Sequence, residues 1–150
     1  MLVVDAANVV GSRPDGWWRD REGATTRLLG RLVGLRGRVL AAPEGAPLEC
    51  TGVIAVVEGR ARQVAAPDGV RVVRAAGSGD DALVGLAREQ AGTALLVVTA
   101  DRGLRARLPA GTAVAGPGWL LRVLDGLDRL DGDEDDREDR TVSHDPPPGG

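Results

Sequence analysis

The chain opens on an apolar run, Met1 to Val4, that is closed by an acid, Asp5. Such a run is too short for a helix and too rich in valine for one, so it reads as a brief strand buried on both faces, with the Asp5 carboxylate on the rim of a sheet. The same pattern returns twice. Val70 to Ala75 leads into Gly77-Ser78-Gly79-Asp80-Asp81, and Ala94 to Val98 leads into Thr99-Ala100-Asp101-Arg102. In an open parallel α/β sheet the carboxyl ends of the strands face one crevice, so these acids are expected to converge although they lie far apart in the chain.

The intervening segments supply the helices. Trp18, Thr25, Leu28, Leu29, Leu32 and Leu35 follow a 3.6-residue period that should stop at Gly34 or Gly37. Helices are likewise expected over Asp80 to Ala91, over Ala100 to Leu108, and from Gly116-Pro117-Gly118 to Leu130. Further strands are expected at Arg38 to Ala42, Gly52 to Val57 and Thr112 to Ala115, with a sheet edge near one of the more polar candidates. Gly11 to Gly16 reads as a loop. Strands alternating with helices imply a mainly parallel central sheet with helices on both faces, a three-layer Rossmann-like α/β domain over residues 1–130. Beyond it, residues 131–150 carry acids, arginines and a Pro-Gly end with almost nothing to bury, and are expected to form a disordered acidic tail.

Composition narrows the function. Cys50 is the single cysteine, so no internal disulfide forms and a reducing compartment is expected. With no basic leader and no long apolar run, the expectation is a cytoplasmic protein without a membrane partner. All 19 basic residues are arginine. Without lysine there is no Walker-type phosphate loop and no phospho-receiver domain. The Asp-x-Asp signature of aspartyl phosphatases is not met by Asp5-Ala6-Ala7. The net charge of −3 conceals an asymmetry, because residues 126–150 hold nine acids against three arginines and the rest of the chain is mildly basic. That balance is compatible with a polyanionic partner.

Four carboxylates in one crevice, Asp5, Asp80, Asp81 and Asp101, would repel one another strongly enough to protonate some of them. A divalent cation removes the conflict. An all-oxygen set joined by the Asn8 amide suits Mg²⁺ or Mn²⁺, and the absence of His and Cys from the pattern argues against zinc. Such a site fits hydrolysis of phosphodiester bonds. Asp80, Asp81 and Asp101 also stand where acids cap helices without any ligand. Ser78 and Thr99 are placed either to touch substrate or to cap the helices that follow them. Arg13, Arg102 and Arg105 lie near the expected rim, where they would hold phosphates or remain solvated. Trp17 and Trp18 follow the first strand; an indole there would stack on an unpaired base or anchor the next helix. Trp119 is expected in the core. Cys50 and His144 have no partners in their sequence context.

The order Val-Val-Asp-x-x-Asn-Val-Val (Val3–Val10), Gly-Ser-Gly-Asp-Asp-Ala-Leu (Gly77–Leu83) and Val-Val-Thr-Ala-Asp-Arg (Val97–Arg102) resembles the PIN-like nuclease superfamily, and within it the NYN-type domains. The resemblance spans Leu2 to about Val114. It implies an Mg²⁺- or Mn²⁺-dependent endoribonuclease acting on RNA, in which Asp5 is the central metal ligand, Asn8 shapes the site, Asp80 and Asp81 form a second pair, and Asp101 is the last ligand. The family often carries a further acid after the second strand, and Glu44 is the candidate for that place. Where the family frequently has a Gly-aromatic pair, this chain has Ala6-Ala7. The alternative is a PIN-like module that binds RNA or a protein partner without cutting.

Overall fold

The computed structural model describes residues 1–13, 16–90 and 93–142. In chain order these form β1 (Leu2–Asp5), α1 (Ala6–Gly11), α2 (Arg21–Leu32), β2 (Val39–Ala41), β3 (Pro47–Glu49), β4 (Val53–Val57), β5 (Arg71–Arg74), α3 (Gly79–Glu89), β6 (Leu96–Val98), α4 (Arg102–Arg107), β7 (Ala113–Ala115) and α5 (Pro117–Val142). Short 3₁₀ turns occupy Trp17–Arg19, Val33–Leu35 and Gly59–Gln63.

The central sheet has five parallel strands in the order β5-β4-β1-β6-β7, so the opening strand of the chain is its middle strand. After β1 the chain builds outward through β4 and β5 on one side, then crosses to β6 and β7 on the other. The reversal places a topological switch point beside β1, where the crevice of an open α/β sheet opens.

Alternation along the strands sorts the core into two layers. Leu2, Val4, Ala55 and Val57 pack with Val9 of α1, Leu28, Leu29 and Leu32 of α2, and Leu120 and Leu124 of α5. Val3, Ile54, Val56 and Val97 pack on the other face with Leu83, Val84, Leu86 and Ala87 of α3 and Leu104 of α4. This is the expected fold, a parallel sheet covered on both faces. The edge strands carry the exposed residues: both arginines of β5 and Ala113 of β7 face outward.

Three local features differ from the sequence expectation. Ala6–Gly11, for which the sequence suggests no element, is helical because Asp5 caps it and two alanines open it. Residues 39–41 do not join the central sheet; they pair antiparallel with Pro47–Glu49. Only Leu40 of that strand is buried, so it lacks the second apolar face that a central parallel strand requires. Gly45, at φ +93°, makes the hairpin turn. The last helix continues to Val142, well past the expected stop at Leu130. Acids stand four residues before arginines in the sequence of that stretch, a spacing that favours helix. His144 and Gly92 lie outside the described residues. Trp119 is buried as expected, and its Nε1–H donates to the Ala41 carbonyl oxygen at 3.0 Å, tying the hairpin to α5.

Candidate active site

Asp5 is the last residue of the central strand and is 7 % exposed. Its parity with Val3 turns it to the α3 and α4 face. The Thr99 hydroxyl, fully buried just beyond β6, donates to Asp5 Oδ2 at 3.0 Å, and the Asn8 backbone N–H reaches Oδ1 at 3.4 Å. Burial raises the Asp5 carboxyl to about 6; the two hydrogen bonds oppose the rise, and the charges of Glu58 and Asp80 add to it.

The neighbours are built from loops that start at strand ends. The Asn8 side-chain oxygen accepts from the Ala100 N–H at 2.8 Å, fastening α1 to the loop that leads into α4. Thr99 Oγ1 also accepts from the Asp101 N–H at 3.2 Å, while Asp101 caps α4 by accepting from the Leu104 N–H at 3.1 Å. Arg105 reaches back to the Thr99 carbonyl oxygen at 2.7 Å, so it braces this loop from behind. Ser78 caps α3, accepting from the Asp80 N–H at 3.1 Å. Burial holds the Asp80 carboxyl above its ordinary range, helped first by the charge of Asp101 and then by that of Glu58. Three of the acids singled out in the sequence thus share one electrostatic environment around the switch point.

The other expected site residues stand elsewhere. Asp81 is 72 % exposed and pairs with Arg107 of α4 at 2.6 Å, bridging α3 to α4. Arg13 bonds Asp125 of α5 at 3.2 Å, and Arg31 binds the same carboxylate at 2.7 Å and Asp128 at 2.8 Å. Those pairs tie the loop after α1 and helix α2 to α5 within one helical layer. Arg102 is exposed at the first turn of α4, next to Asp101. Trp18 is 56 % exposed, so it does not anchor the core.

Glu44 lies in the β2–β3 turn beside Thr93–Leu96 and Pro109–Val114, at the amino ends of β6 and β7. It is therefore at the end of the sheet remote from Asp5. The acid that occupies the crevice is Glu58, which directly follows β4 and accepts from the Gly79 N–H at 2.5 Å. The signal for it was in the sequence, because the run Val53 to Val57 ends in an acid just as the run before Asp5 does.

Asp5, Glu58, Asp80 and Asp101 form an oxygen-donor set in mutual repulsion. Among the described residues, no three His, Cys, Asp or Glu side chains stand close enough together to hold a metal ion as they are. The donor chemistry suits a hard divalent cation, and such an ion would relieve the strain on the Asp5 and Asp80 carboxylates.

Fold and site together define a parallel three-layer α/β domain with a carboxylate-lined crevice at its switch point. The chain is similar in structure to Rae1 (YacP) from Bacillus subtilis, with a TM-score of 0.63 over 95 % of this chain and 82 % of that one, at 19 % sequence identity. The likeness shows the fold, a mainly parallel sheet with helices around it. No family model matches the sequence, and no curated protein matches it. No described helix is long and apolar enough to cross a membrane.

Proposed function

We propose that the protein is a divalent-cation-dependent ribonuclease that hydrolyses RNA phosphodiester bonds at the carboxylate crevice. The observation that carries this reading is the state of Asp5: a buried acid at the end of the central strand, held by Thr99 and Asn8 and pressed by Glu58 and Asp80. Burying such a charge costs stability unless something compensates it, and a structural acid would find a cation among the side chains. Asp5 has acids around it instead.

Asp5, Asp80 and Asp101 would hold Mg²⁺ or Mn²⁺, with Glu58 added and Asn8 and Thr99 setting the orientation of Asp5. When bound, the ion supplies an activated water and stabilises the leaving oxygen. The residues of the chain do the positioning. Thr99 and Asn8 hold both oxygens of Asp5, Ser78 fixes the start of α3, and Glu58 fixes Gly79 beside Asp80. Among the described residues no three of these ligands are gathered as they stand, so binding of an ion would involve adjustment of the carboxylate side chains. Arg102, exposed beside Asp101, is placed to receive a phosphate of the substrate.

Purified protein should cleave a single-stranded RNA oligomer with Mn²⁺ or Mg²⁺ and stop in a chelator. Asp5→Asn should lower the rate by about 10²-fold or more while the fold persists. Undiminished cleavage by that variant would exclude the mechanism. Ala6-Ala7, where PIN-like nucleases often have a Gly-aromatic pair, favours a second reading, a module that binds RNA or a protein without cutting it. That reading requires metal-independent binding and no cleavage under any of these conditions.

A further inference from the structure

Glu58 lines the acidic crevice and also bounds a depression that leads away from it. This cavity, about 440 Å³, lies between Ala7, Arg21, Glu58, Gly59 and Gly77. Arg21 forms part of a neighbouring cavity of about 410 Å³, whose other walls are Trp18, Arg19, Asp20, Glu22 and Arg60. The two cavities share Arg21 as a wall and adjoin at the chain neighbours Gly59 and Arg60, in the 3₁₀ turn at Gly59–Gln63. Gly59, at φ +60°, lets the chain leave β4 sharply enough for residue 58 to face the crevice and residue 60 the second cavity. A side chain at position 59 would be strained there.

The second cavity joins an exposed indole to three guanidinium groups. Asp20 is turned into the helix start, accepting from the Gly23 N–H at 2.9 Å, and the walls carry three arginines against Asp20 and Glu22. An aromatic face flanked by arginines is the chemistry that holds an unpaired base and its phosphates. It is poorly suited to a duplex, whose bases are already stacked.

From this continuity we propose that Trp18, Arg19, Arg21 and Arg60 form a nucleobase subsite for single-stranded RNA, remote from the bond that is cut and joined to the crevice by the groove along Arg21 and Gly59. The indole of Trp18 stacks on one unpaired base, and the arginines hold the adjoining phosphates. The subsite selects single strands with several nucleotides on one side of the scissile bond. It rests on the reading of the crevice as a phosphodiester site, but its test does not need cleavage.

A single-stranded RNA octamer is titrated into the full chain in EDTA, with affinity followed by anisotropy and with indole emission recorded in parallel. Wild type should bind with quenching of emission. Trp18→Ala should weaken binding about 10-fold or more, the size of one lost stacked base, and Trp18→Phe should recover most of it. Arg60→Ala should lower the salt slope of binding by about one. The same sequence as a duplex should bind Trp18→Ala and wild type equally. Equal affinity of wild type and Trp18→Ala for the single strand, at matched thermal stability, overturns the proposal, as does failure of the wild type to bind it. A chain that binds through Trp18 yet never cleaves keeps the subsite and removes the catalytic reading; cleavage that is indifferent to Trp18 does the reverse.

Discussion

The Thr99 hydroxyl donates a 3.0 Å hydrogen bond to the Asp5 carboxylate, with both side chains buried at the carboxyl ends of adjacent strands. The same hydroxyl accepts from the Asp101 N–H, so one side chain orients two acids. Thr99→Val keeps the shape and removes both bonds. It should destabilise the fold by about 1–3 kcal/mol, measured by urea denaturation at neutral pH, because a buried carboxylate is left short of a donor. Thr99→Ser should recover most of the loss. A valine variant as stable as wild type would mean that the bond does not hold Asp5.

Asp5 makes stability depend on pH in a direction opposite to that of a salt-bridged acid. Its carboxyl is raised from 3.8 to about 6 in the fold, chiefly by burial. The unfolded chain therefore gives up this proton more readily than the folded one. The stabilising contribution of the protonated group is complete below about pH 3.8 and is lost as pH rises through about 6. A shift of that size corresponds to at most about 3 kcal/mol at neutral pH. In a chelator, Asp5→Asn should thus be more stable than wild type by ~1–3 kcal/mol near pH 7, with the difference shrinking toward pH 4. Parallel stability curves for the two proteins over this range would refute the assignment.

Glu58 and Gly79 are fitted to each other. A Cβ on Gly79 would stand 2.8 Å from Glu58 Oε2, which accepts from the Gly79 N–H. Gly79→Ala should displace the carboxylate, costing about 1–2 kcal/mol through loss of a charge-assisted hydrogen bond, and should reduce cleavage by moving Asp80. Glu58→Gln should also slow cleavage. Combined, the two changes should cost less than their sum, since both weaken the same charge-assisted hydrogen bond. Strict additivity in a double-mutant cycle would separate Glu58 from the start of α3.

Much of this arrangement is legible in the sequence because buried parallel strands are short apolar runs, and the acid that ends such a run has few places to go. That logic reaches Asp5, Asp80 and Asp101. Applied to Val53–Val57 it also reaches Glu58, but a search for an acid after the second strand leads to Glu44 instead. The error has a physical origin: Val39–Ala41 looks like a sheet strand until the exposure of Val39 reveals a hairpin with a single apolar side. Helix α1 is hidden by its brevity, and depends on the Asp5 cap more than on periodicity. The pairing of Arg13 with Asp125 joins residues 112 apart and leaves no local trace. Asp80 and Asp81 are adjacent and chemically alike, and their sequence does not tell that Asp81 takes the ion pair with Arg107 while Asp80 shares the field of Glu58 and Asp101.

The most direct measurement is calorimetric titration of Mn²⁺ into the wild type and Asp5→Asn, with Asp101→Asn as a second variant. Wild type should bind saturably, with binding lost in Asp5→Asn and weakened in Asp101→Asn, all three being folded. Wild type that takes up no Mn²⁺ even with RNA present, or Asp5→Asn that binds it as tightly as wild type, would contradict the carboxylate crevice as the cation site.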